Sequence, residues 1–218
     1  MYRNTQIDIK LYKLNDMVKA GCNDCKGCSS CCQGMGESIV LDPYDIWQLE
    51  NKLNTTFSGL MQEKIELHVE EGLILPNLKM QGFSESCGFL NEDGRCVIHG
   101  FRPGLCRLFP LGRKYENNEL YYFLLQDACT RTNTKIKVKK WLDITDGKRY
   151  ENFLVKWHDL RKGLQDKIAE LSDEQNGDEL IKEINMKFLH IFYEKQYTSD
   201  DFYIQFEKRI DETEVIIL

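Results

Sequence analysis

Apolar residues recur every three or four positions through the last third of the chain. This spacing predicts three helices, over residues 148–171, 178–195 and 199–212, because it gives each segment one continuous face to bury. A turn signal at Asn176-Gly177 separates the first two of them. We therefore expect residues 142–218 to form an α-helical region that packs on the preceding part of the chain.

Shorter helices are predicted in the first half. Apolar residues at helical spacing predict an amphipathic helix within residues 1–19, which ends before Gly21. Asp42-Pro43 provides an N-cap and a proline at the first helical position, and so predicts a helix from Tyr44 to Leu53. A further helix is predicted from Leu60 to Glu71.

Strand signals lie between and after these helices. Residues 38–41 have the composition of a short strand, and residues 87–99 predict two strands around a turn at Asp93-Gly94. Residues 120–126 are rich in aromatic and apolar side chains, which predicts a buried strand. The lysine-rich run from Arg131 to Lys140 predicts an edge strand protected by its charges rather than a nucleic-acid-binding patch.

These elements predict an α+β fold. A cysteine-rich domain of short strands and helices would cover residues 1–141, and the α-helical region would follow over residues 142–218. The 218 residues are 42% hydrophobic and 29% charged, a composition typical of globular proteins. A chain of this length can build a hydrophobic core without help from cross-links.

Charge and hydropathy exclude several classes of protein. The formal net charge of -6 argues against nucleic acid as the main partner, because phosphate binding requires a basic face. The N-terminal segment contains charges throughout and lacks the apolar run of a signal peptide. No apolar run approaches the roughly 20 residues that cross a bilayer. We expect a cytoplasmic protein that does not associate with a membrane.

The cysteines carry the strongest chemical signal. Disulfides rarely persist in the reducing cytoplasm, and an odd number of cysteines cannot pair completely within one chain. Cysteines separated by two residues are typical ligands of zinc and iron, so the pattern predicts a metal or cluster site. The nine cysteines are Cys22, Cys25, Cys28, Cys31, Cys32, Cys87, Cys96, Cys106 and Cys129.

The spacing of the cysteines constrains how they bind. Cys31 and Cys32 are adjacent and would not easily bind the same ion, so we expect one of them to serve a second ion or a second iron of a cluster. The later four cysteines would supply the remaining ligands. Because they are far from the first group in sequence, a bound metal would cross-link the fold, and its binding would contribute to folding.

Three motifs occur in order over about residues 22–130: Cys25-x-x-Cys28-x-x-Cys31-Cys32, then Cys87-Gly-Phe-Leu with Gly94-Arg-Cys96-Val-Ile-His, then Arg102-Pro103-x-x-Cys106-Arg107-x-Phe109-Pro110. Together they resemble the YkgJ-type cysteine-cluster family. That family is described as zinc- or iron-chelating, and flagellin lysine-N-methylase is one relative. The resemblance implies eight ligands, enough for two tetrathiolate ions or for one iron–sulfur cluster with thiols left over: Cys25, Cys28, Cys31, Cys32, Cys87, Cys96, Cys106 and Cys129.

Each of the other residues near the motifs has two possible interpretations. Cys22 is extra to the motif and is either spare or a replacement for a neighbour. His99 stands where the family usually has tyrosine, and we interpret it as a hydrogen-bonded strand histidine rather than a ligand. Arg102 and Arg107 flank Cys106, where they would either offset the charge of thiolate ligands or form ordinary salt bridges with carboxylates.

Three functional hypotheses follow. The first is a metalloprotein of the YkgJ type that binds zinc or an iron–sulfur cluster, with a slight preference for the cluster. The second, implied by the resemblance, is a protein-lysine N-methylase that uses S-adenosylmethionine and acts on a protein or peptide substrate. The third is a non-catalytic interaction module built around a structural zinc. The sequence leaves the oligomeric state open.

Overall fold

The computed structural model describes residues 9–21, 28–126, 128–129, 134–198 and 201–216. These residues form helices and short antiparallel strands, and the C-terminal region is helical, so the predicted α+β fold is confirmed. The chain divides into two compact units, the first from residues 1–26 and 107–155, the second from residues 27–106 and 156–218. The predicted domain boundary after residue 141 stays a prediction.

The elements are short in the first half of the chain and long in the second. In chain order the strands β1–β9 are Leu11–Tyr12, Met17–Gly21, Ile65–Glu70, Leu73–Leu78, Met80–Gln81, Ser86–Cys87, Leu111–Glu116, Glu119–Leu124 and Thr134–Lys137. The helices α1–α7 are Pro43–Leu53, Phe57–Glu63, Gly104–Leu108, Val138–Leu142, Gly147–Leu171, Gly177–Leu189 and Phe202–Ile216.

The first unit is built on antiparallel strands. A three-stranded sheet has the order β1-β8-β7, and β2 pairs separately with β9. Strand β8 confirms the strand predicted over residues 120–126, and its Tyr122 is fully buried. Asn117 and Asn118 join β7 to β8 with positive φ angles of 51° and 61°. Asparagine tolerates this backbone conformation, which suits a two-residue hairpin turn.

The second unit has an aromatic core between its C-terminal helices. Trp157 of α5 stacks on Phe188 of α6 with ring centroids 5.4 Å apart. Phe192 meets the edge of Trp157 at 5.2 Å, and Phe206 of α7 lies 6.3 Å from Trp157. Phe188, Phe192 and Phe206 are each fully buried. Aromatic rings bury large apolar areas, so this cluster fixes the helices of the unit together.

The three predicted C-terminal helices are confirmed as α5, α6 and α7. A π-helical turn, His190–Glu194, continues α6. Arg209 of α7 satisfies two carbonyl groups at this turn, donating to Ile191 O at 2.6 Å and to Gln196 O at 3.0 Å. The guanidinium also lies 3.4 Å from the centroid of the Tyr197 ring. Buried cations require such partners, because an unsatisfied charge away from water is costly.

Helix α1 begins where the sequence predicted. The Asp42 side chain accepts a hydrogen bond from Asp45 N at 2.9 Å, and Asp45 Oδ2 accepts one from Asp42 N at 3.2 Å. Pro43 occupies the first turn, where its missing N–H costs nothing. Ile46 and Leu49 are fully buried, so the apolar face of the helix packs into the second unit.

The predicted N-terminal helix is wrong within the described residues 9–21. Strand β1 pairs with β8, and β2 pairs with β9. Val18 and Ala20 are buried, whereas Met17 and Lys19 are exposed. This alternation with a period of two residues is that of a strand with one buried face, and it outweighs the helical spacing of the same segment.

The predicted helix over residues 60–71 is also wrong beyond its first turn. Helix α2 ends at Glu63, and strand β3 follows and pairs with β4 in register from Ile65↔Leu78 to Glu70↔Leu73. Glu71 and Gly72 form the turn with φ angles of 49° and 80°. Gly72 therefore closes a hairpin rather than a helix, because both turn residues need the left-handed conformation.

Two predicted strands are present only in part. The segment 38–41 contributes a single bridge, Val40↔Asn77, rather than a full strand. Strand β9 pairs with β2, but helix α4 begins at Val138, so the extended part of the lysine-rich run is Thr134–Lys137. Residues 131–133 of that run lie outside the described residues. Within the described part of the chain, no helix has both the length and the apolar character of a membrane span.

Candidate metal centre

The end of the first cysteine group lies in a tight turn. Ser30–Cys32 form one 3-10 turn, in which Cys32 N donates to Ser29 O at 2.9 Å. The Cys28 thiol lies 3.5 Å from the Ser30 hydroxyl. Directly after the turn, Gly34 N donates to Glu85 O at 2.9 Å. This backbone contact holds the turn beside the strand that carries Cys87.

Cys87 and Cys96 are held by two small backbone features. Strand β6 carries Cys87 and pairs with β5 through Met80↔Cys87. Leu90 and Cys96 form an isolated bridge around the predicted turn, so the hairpin of residues 87–99 is reduced to one bridge, and Cys87 pairs elsewhere. Within the turn, Asn91 Oδ1 accepts hydrogen bonds from Asp93 N at 3.1 Å and Arg95 N at 2.8 Å.

Cys106 lies in the short helix α3, and Asp45 of α1 fixes the beginning of that helix. Gly104 N donates to Asp45 Oδ1 at 2.7 Å, and both groups are buried. Pro103 precedes the bond and lacks an N–H of its own. One carboxylate thus ties α1 to the segment that presents Cys106, across 59 residues of sequence.

Five cysteines from these segments interact electrostatically with one another. The charges of Cys31, Cys87 and Cys106 each act on Cys32. Cys96 interacts in turn with Cys31, and also with Cys87 and Cys106. All belong to the second unit and are free thiols; we call this set the five-thiol cluster: Cys31, Cys32, Cys87, Cys96 and Cys106.

Burial controls the ionisation of most of the cluster. Desolvation is the largest cause that raises the pKa of Cys87, Cys96 and Cys106 above the ordinary value of a thiol. Thiolates are costly away from water and beside one another. The exception is the adjacent pair, where the Cys32 thiol donates a hydrogen bond to Cys31 and lowers the pKa of Cys31 to about 6. The same contact raises the pKa of Cys32.

Within the described ranges, Arg102 and Lys64 are cations that act on the five-thiol cluster. The Arg102 guanidinium favours the thiolate forms of Cys31, Cys96 and Cys106. Lys64 acts on Cys87 and donates a hydrogen bond to Gly88 O at 2.9 Å. Among the described residues no carboxylate forms a salt bridge with Arg102, so for this residue the structure favours a role in offsetting thiolate charge.

Arg107 has a different environment. Its guanidinium lies 5.8 Å from the centroid of the Tyr150 ring within the first unit. The side chain is buried, and its Nε and Nη2 atoms find no hydrogen-bond partner among the described residues. A cation on an aromatic face is stabilised by the ring quadrupole. Within the described part of the chain, Arg107 forms no salt bridge with a carboxylate.

The remaining sequence-predicted residues are not members of the five-thiol cluster. Cys22 and Cys25 lie outside the described residues. Cys129 is half-buried and belongs to the first unit. His99 opens a 3-10 turn, His99–Phe101, so its predicted place in a strand is wrong. Among the described residues, no group of three or more His, Cys, Asp or Glu side chains is arranged to hold a metal ion.

Comparison with known proteins places the chain in a family. A family model described as "CxxCxxCC: Putative zinc- or iron-chelating domain" matches residues 24–139, more than half of the chain. The chain belongs to the CxxCxxCC family. The match begins immediately before Cys25 and includes every residue of the five-thiol cluster. No curated protein and no solved structure matches this chain significantly.

The residues of the CxxCxxCC domain fit a thiophilic ion. Thiolate sulfur is the preferred ligand of zinc and of iron–sulfur clusters. The buried Nε of Arg102 has no hydrogen-bond partner among the described residues, and a ligand thiolate is a suitable acceptor for it. Zinc or iron bound to the cluster would supply positive charge among thiols whose burial disfavours ionisation.

Sequence reasoning missed two residues that shape the CxxCxxCC site. Lys64 lies 23 residues before Cys87 in sequence, and no motif marks it. Asp45 had a signal, since the pattern Asp42-Pro43-x-Asp45 places an acid at the third helical position, where it can complete a capping box. Its second hydrogen bond, to Gly104, depends on tertiary contact and has no local signature.

Proposed function

We propose that this chain is a metal-binding protein whose cysteines hold zinc or an iron–sulfur cluster. One observation carries the proposal: five free thiols of the second unit lie close enough to shift the pKa of their neighbours, and they are carried by the turn Ser30–Cys32, strand β6, the Leu90–Cys96 bridge and helix α3. Membership of a family described as zinc- or iron-chelating supports it.

The proposed ligands are the eight cysteines that the motifs align. The five-thiol cluster supplies most of them, and Cys28 precedes the turn Ser30–Cys32, with its thiol 3.5 Å from the Ser30 hydroxyl. Cys25 and Cys129 complete the set as a proposal from the family resemblance. Cys22 is not assigned, because it is extra to the motif.

The chemistry available at this site follows from its thiols. A divalent ion or an iron–sulfur cluster replaces the protons of several ligands, so uptake releases protons and becomes stronger as the pH rises. The thiols of the five-thiol cluster lie on the turn Ser30–Cys32, strand β6, the Leu90–Cys96 bridge and helix α3. Binding would therefore stabilise the fold of the second unit as well as neutralise its thiolates.

Between the two metals we prefer an iron–sulfur cluster. Adjacent Cys31 and Cys32 suit two irons of one cluster better than one tetrahedral ion. Protein purified without oxygen should then be brown, absorb near 400 nm and contain iron and sulfide. Colourless protein with stoichiometric zinc would show that the site holds zinc rather than an iron–sulfur cluster, and the metal-binding function would still stand. Protein without zinc or iron under either condition would refute the proposed function.

A matched pair of variants tests the ligand assignment. Cys28→Ser should lower the metal content and destabilise the protein, because serine oxygen is a poor ligand for a thiophilic ion. Cys22→Ser should change neither property. Equal metal loss in the two variants would contradict the assignment. The lysine-methylase and interaction-module hypotheses stay predictions from the sequence.

A further inference from the structure

Among the described residues, Arg102 and Lys64 have different relations to the five-thiol cluster. Arg102 favours the thiolate forms of Cys31, Cys96 and Cys106, which come from three segments, whereas Lys64 acts on Cys87. Lys64 already donates to Gly88 O at 2.9 Å and lies 5.7 Å from the centroid of the Phe89 ring. The Lys64 ammonium therefore already has partners within the protein.

One donor of the Arg102 guanidinium is not satisfied in this way. Its Nε is buried and has no hydrogen-bond partner among the described residues. Leaving a charged donor unsatisfied in the interior costs more than leaving a neutral one, and such groups are retained where a ligand or a function needs them. The position is also defined, because Pro103 follows it and Gly104 N is bound to Asp45.

Charge gives the second line of argument. Four thiolates around one divalent ion carry a net charge of about -2, and thiolates around an iron–sulfur cluster also leave an excess of negative charge. Asp45 adds further negative charge beside Cys106. A cation at the cluster offsets this repulsion, and a guanidinium does so with directed N–H donors and weak hydration.

We propose that Arg102 is a positioning residue of the metal centre, whose Nε–H donates a hydrogen bond to a ligand sulfur of the five-thiol cluster and whose charge stabilises the loaded site. The proposal rests on the proposed metal-binding function. It assigns Arg102 to the loaded protein rather than to the fold. The metal-free protein bears the cost of the unsatisfied donor, and the loaded protein recovers it.

Three variants separate charge, hydrogen bonding and folding. Arg102→Met removes the charge and the donors while keeping a long side chain. Arg102→Lys keeps the charge without the Nε–H. Arg95→Met is the matched control, because Arg95 is exposed and lies next to Cys96. Each protein is reduced, stripped of metal and titrated with Co²⁺ without oxygen, with thiolate-to-cobalt absorbance as the readout and competition by Zn²⁺ as the second measurement.

Arg102→Met should weaken metal binding without destabilising the metal-free protein. Arg102→Met should weaken Co²⁺ and Zn²⁺ binding about 10- to 100-fold, the range seen when groups behind metal ligands are removed. Arg102→Lys should recover part of that loss, and Arg95→Met should bind as the wild type does. In the metal-free state the melting temperature of Arg102→Met should equal or exceed that of the wild type.

Several outcomes would overturn the assignment. Unchanged affinity of Arg102→Met, with wild-type binding intact, would refute the role of Arg102 and leave metal binding standing. A lower melting temperature of metal-free Arg102→Met, together with no recovery in Arg102→Lys, would make Arg102 a folding residue instead. Wild-type protein that binds neither Co²⁺, Zn²⁺ nor iron would refute this proposal and the proposed function together.

Discussion

Replacing Asp45 with alanine should destabilise the second unit, because one carboxylate there satisfies two buried backbone donors. Asp45 Oδ1 accepts from Gly104 N at 2.7 Å, and Oδ2 accepts from Asp42 N at 3.2 Å. Asp45 is 3% exposed, so water cannot replace either bond in a rigid structure. The bond to Gly104 also holds the segment that presents Cys106.

The magnitude follows from the two orphaned donors. Each buried donor left unsatisfied costs about 1–3 kcal/mol, so Asp45→Ala should lower the free energy of unfolding by roughly 2–6 kcal/mol. Asp45→Asn keeps an acceptor for Gly104 but presents an N–H₂ group where the other oxygen accepted, and should lose about half as much. For a chain of this length the alanine variant should melt about 5–20 °C lower.

Urea unfolding followed by circular dichroism, at matched metal content, measures the effect. Asp166→Ala is the control, because Asp166 is exposed and its ion pair with Lys162, at 3.0 Å, lies on the surface. Such pairs contribute about 0–1 kcal/mol. The reasoning would be refuted if Asp45→Ala unfolded within about 0.5 kcal/mol of the wild type, since that is the range of ordinary surface changes.

Two further predictions concern the second unit. Arg209→Leu should lower the free energy of unfolding by roughly 2–4 kcal/mol, because it leaves the Ile191 and Gln196 carbonyls without their hydrogen-bond donor. Arg209→Lys should lose less stability. Equal stability of both variants and the wild type in urea would contradict this prediction. Burial is the largest cause that raises the pKa of Glu50. The folded state then holds the proton more tightly than the unfolded state, so this group stabilises least above its folded pKa. Glu50→Gln should therefore gain stability relative to wild type as the pH rises from about 4 toward 7, with Glu63→Gln as an exposed control. If the difference in free energy of unfolding between Glu50→Gln and wild type stayed constant across that range, the pKa of Glu50 would not be raised by folding.

The elements that sequence reasoning predicted well carry their own local signals. Helix α1 has an N-cap, a proline in its first turn and an apolar face, and all three act within the helix itself. The C-terminal helices are long and strongly periodic, so the spacing of their apolar residues predicted both their number and their positions. Strand β8 contains a run of aromatic and apolar residues, which favour strands through their packing.

The elements that were predicted wrongly depend on pairing partners far away in sequence. Met17–Gly21 forms a strand because β9 lies beside it, more than a hundred residues later. Ile65–Glu70 forms a strand because the turn at Glu71-Gly72 folds β4 back onto it. Short apolar segments are compatible with either period, and tertiary contact decides between them.

The candidate site was predicted from spacing in outline and completed by the fold. The motifs singled out the cysteines, and in the structure five of them lie close enough to shift the pKa of their neighbours. The roles of Asp45 and Lys64 had no complete signature, because each depends on a contact between separate segments. For Arg102 the sequence allows two interpretations, a salt bridge with a carboxylate or a cation that offsets thiolate charge. Its unsatisfied Nε favours the second interpretation.

Native mass spectrometry of anaerobically purified protein tests the central claim most directly. The intact chain should carry a mass excess equal to bound zinc or to an iron–sulfur cluster, and acid or a strong chelator should remove it. Serine variants of Cys31 and Cys106 should carry less metal than the wild type. A wild-type chain whose mass equals that of the bare polypeptide, and whose stability is unchanged by added zinc or by cluster reconstitution, would contradict the account.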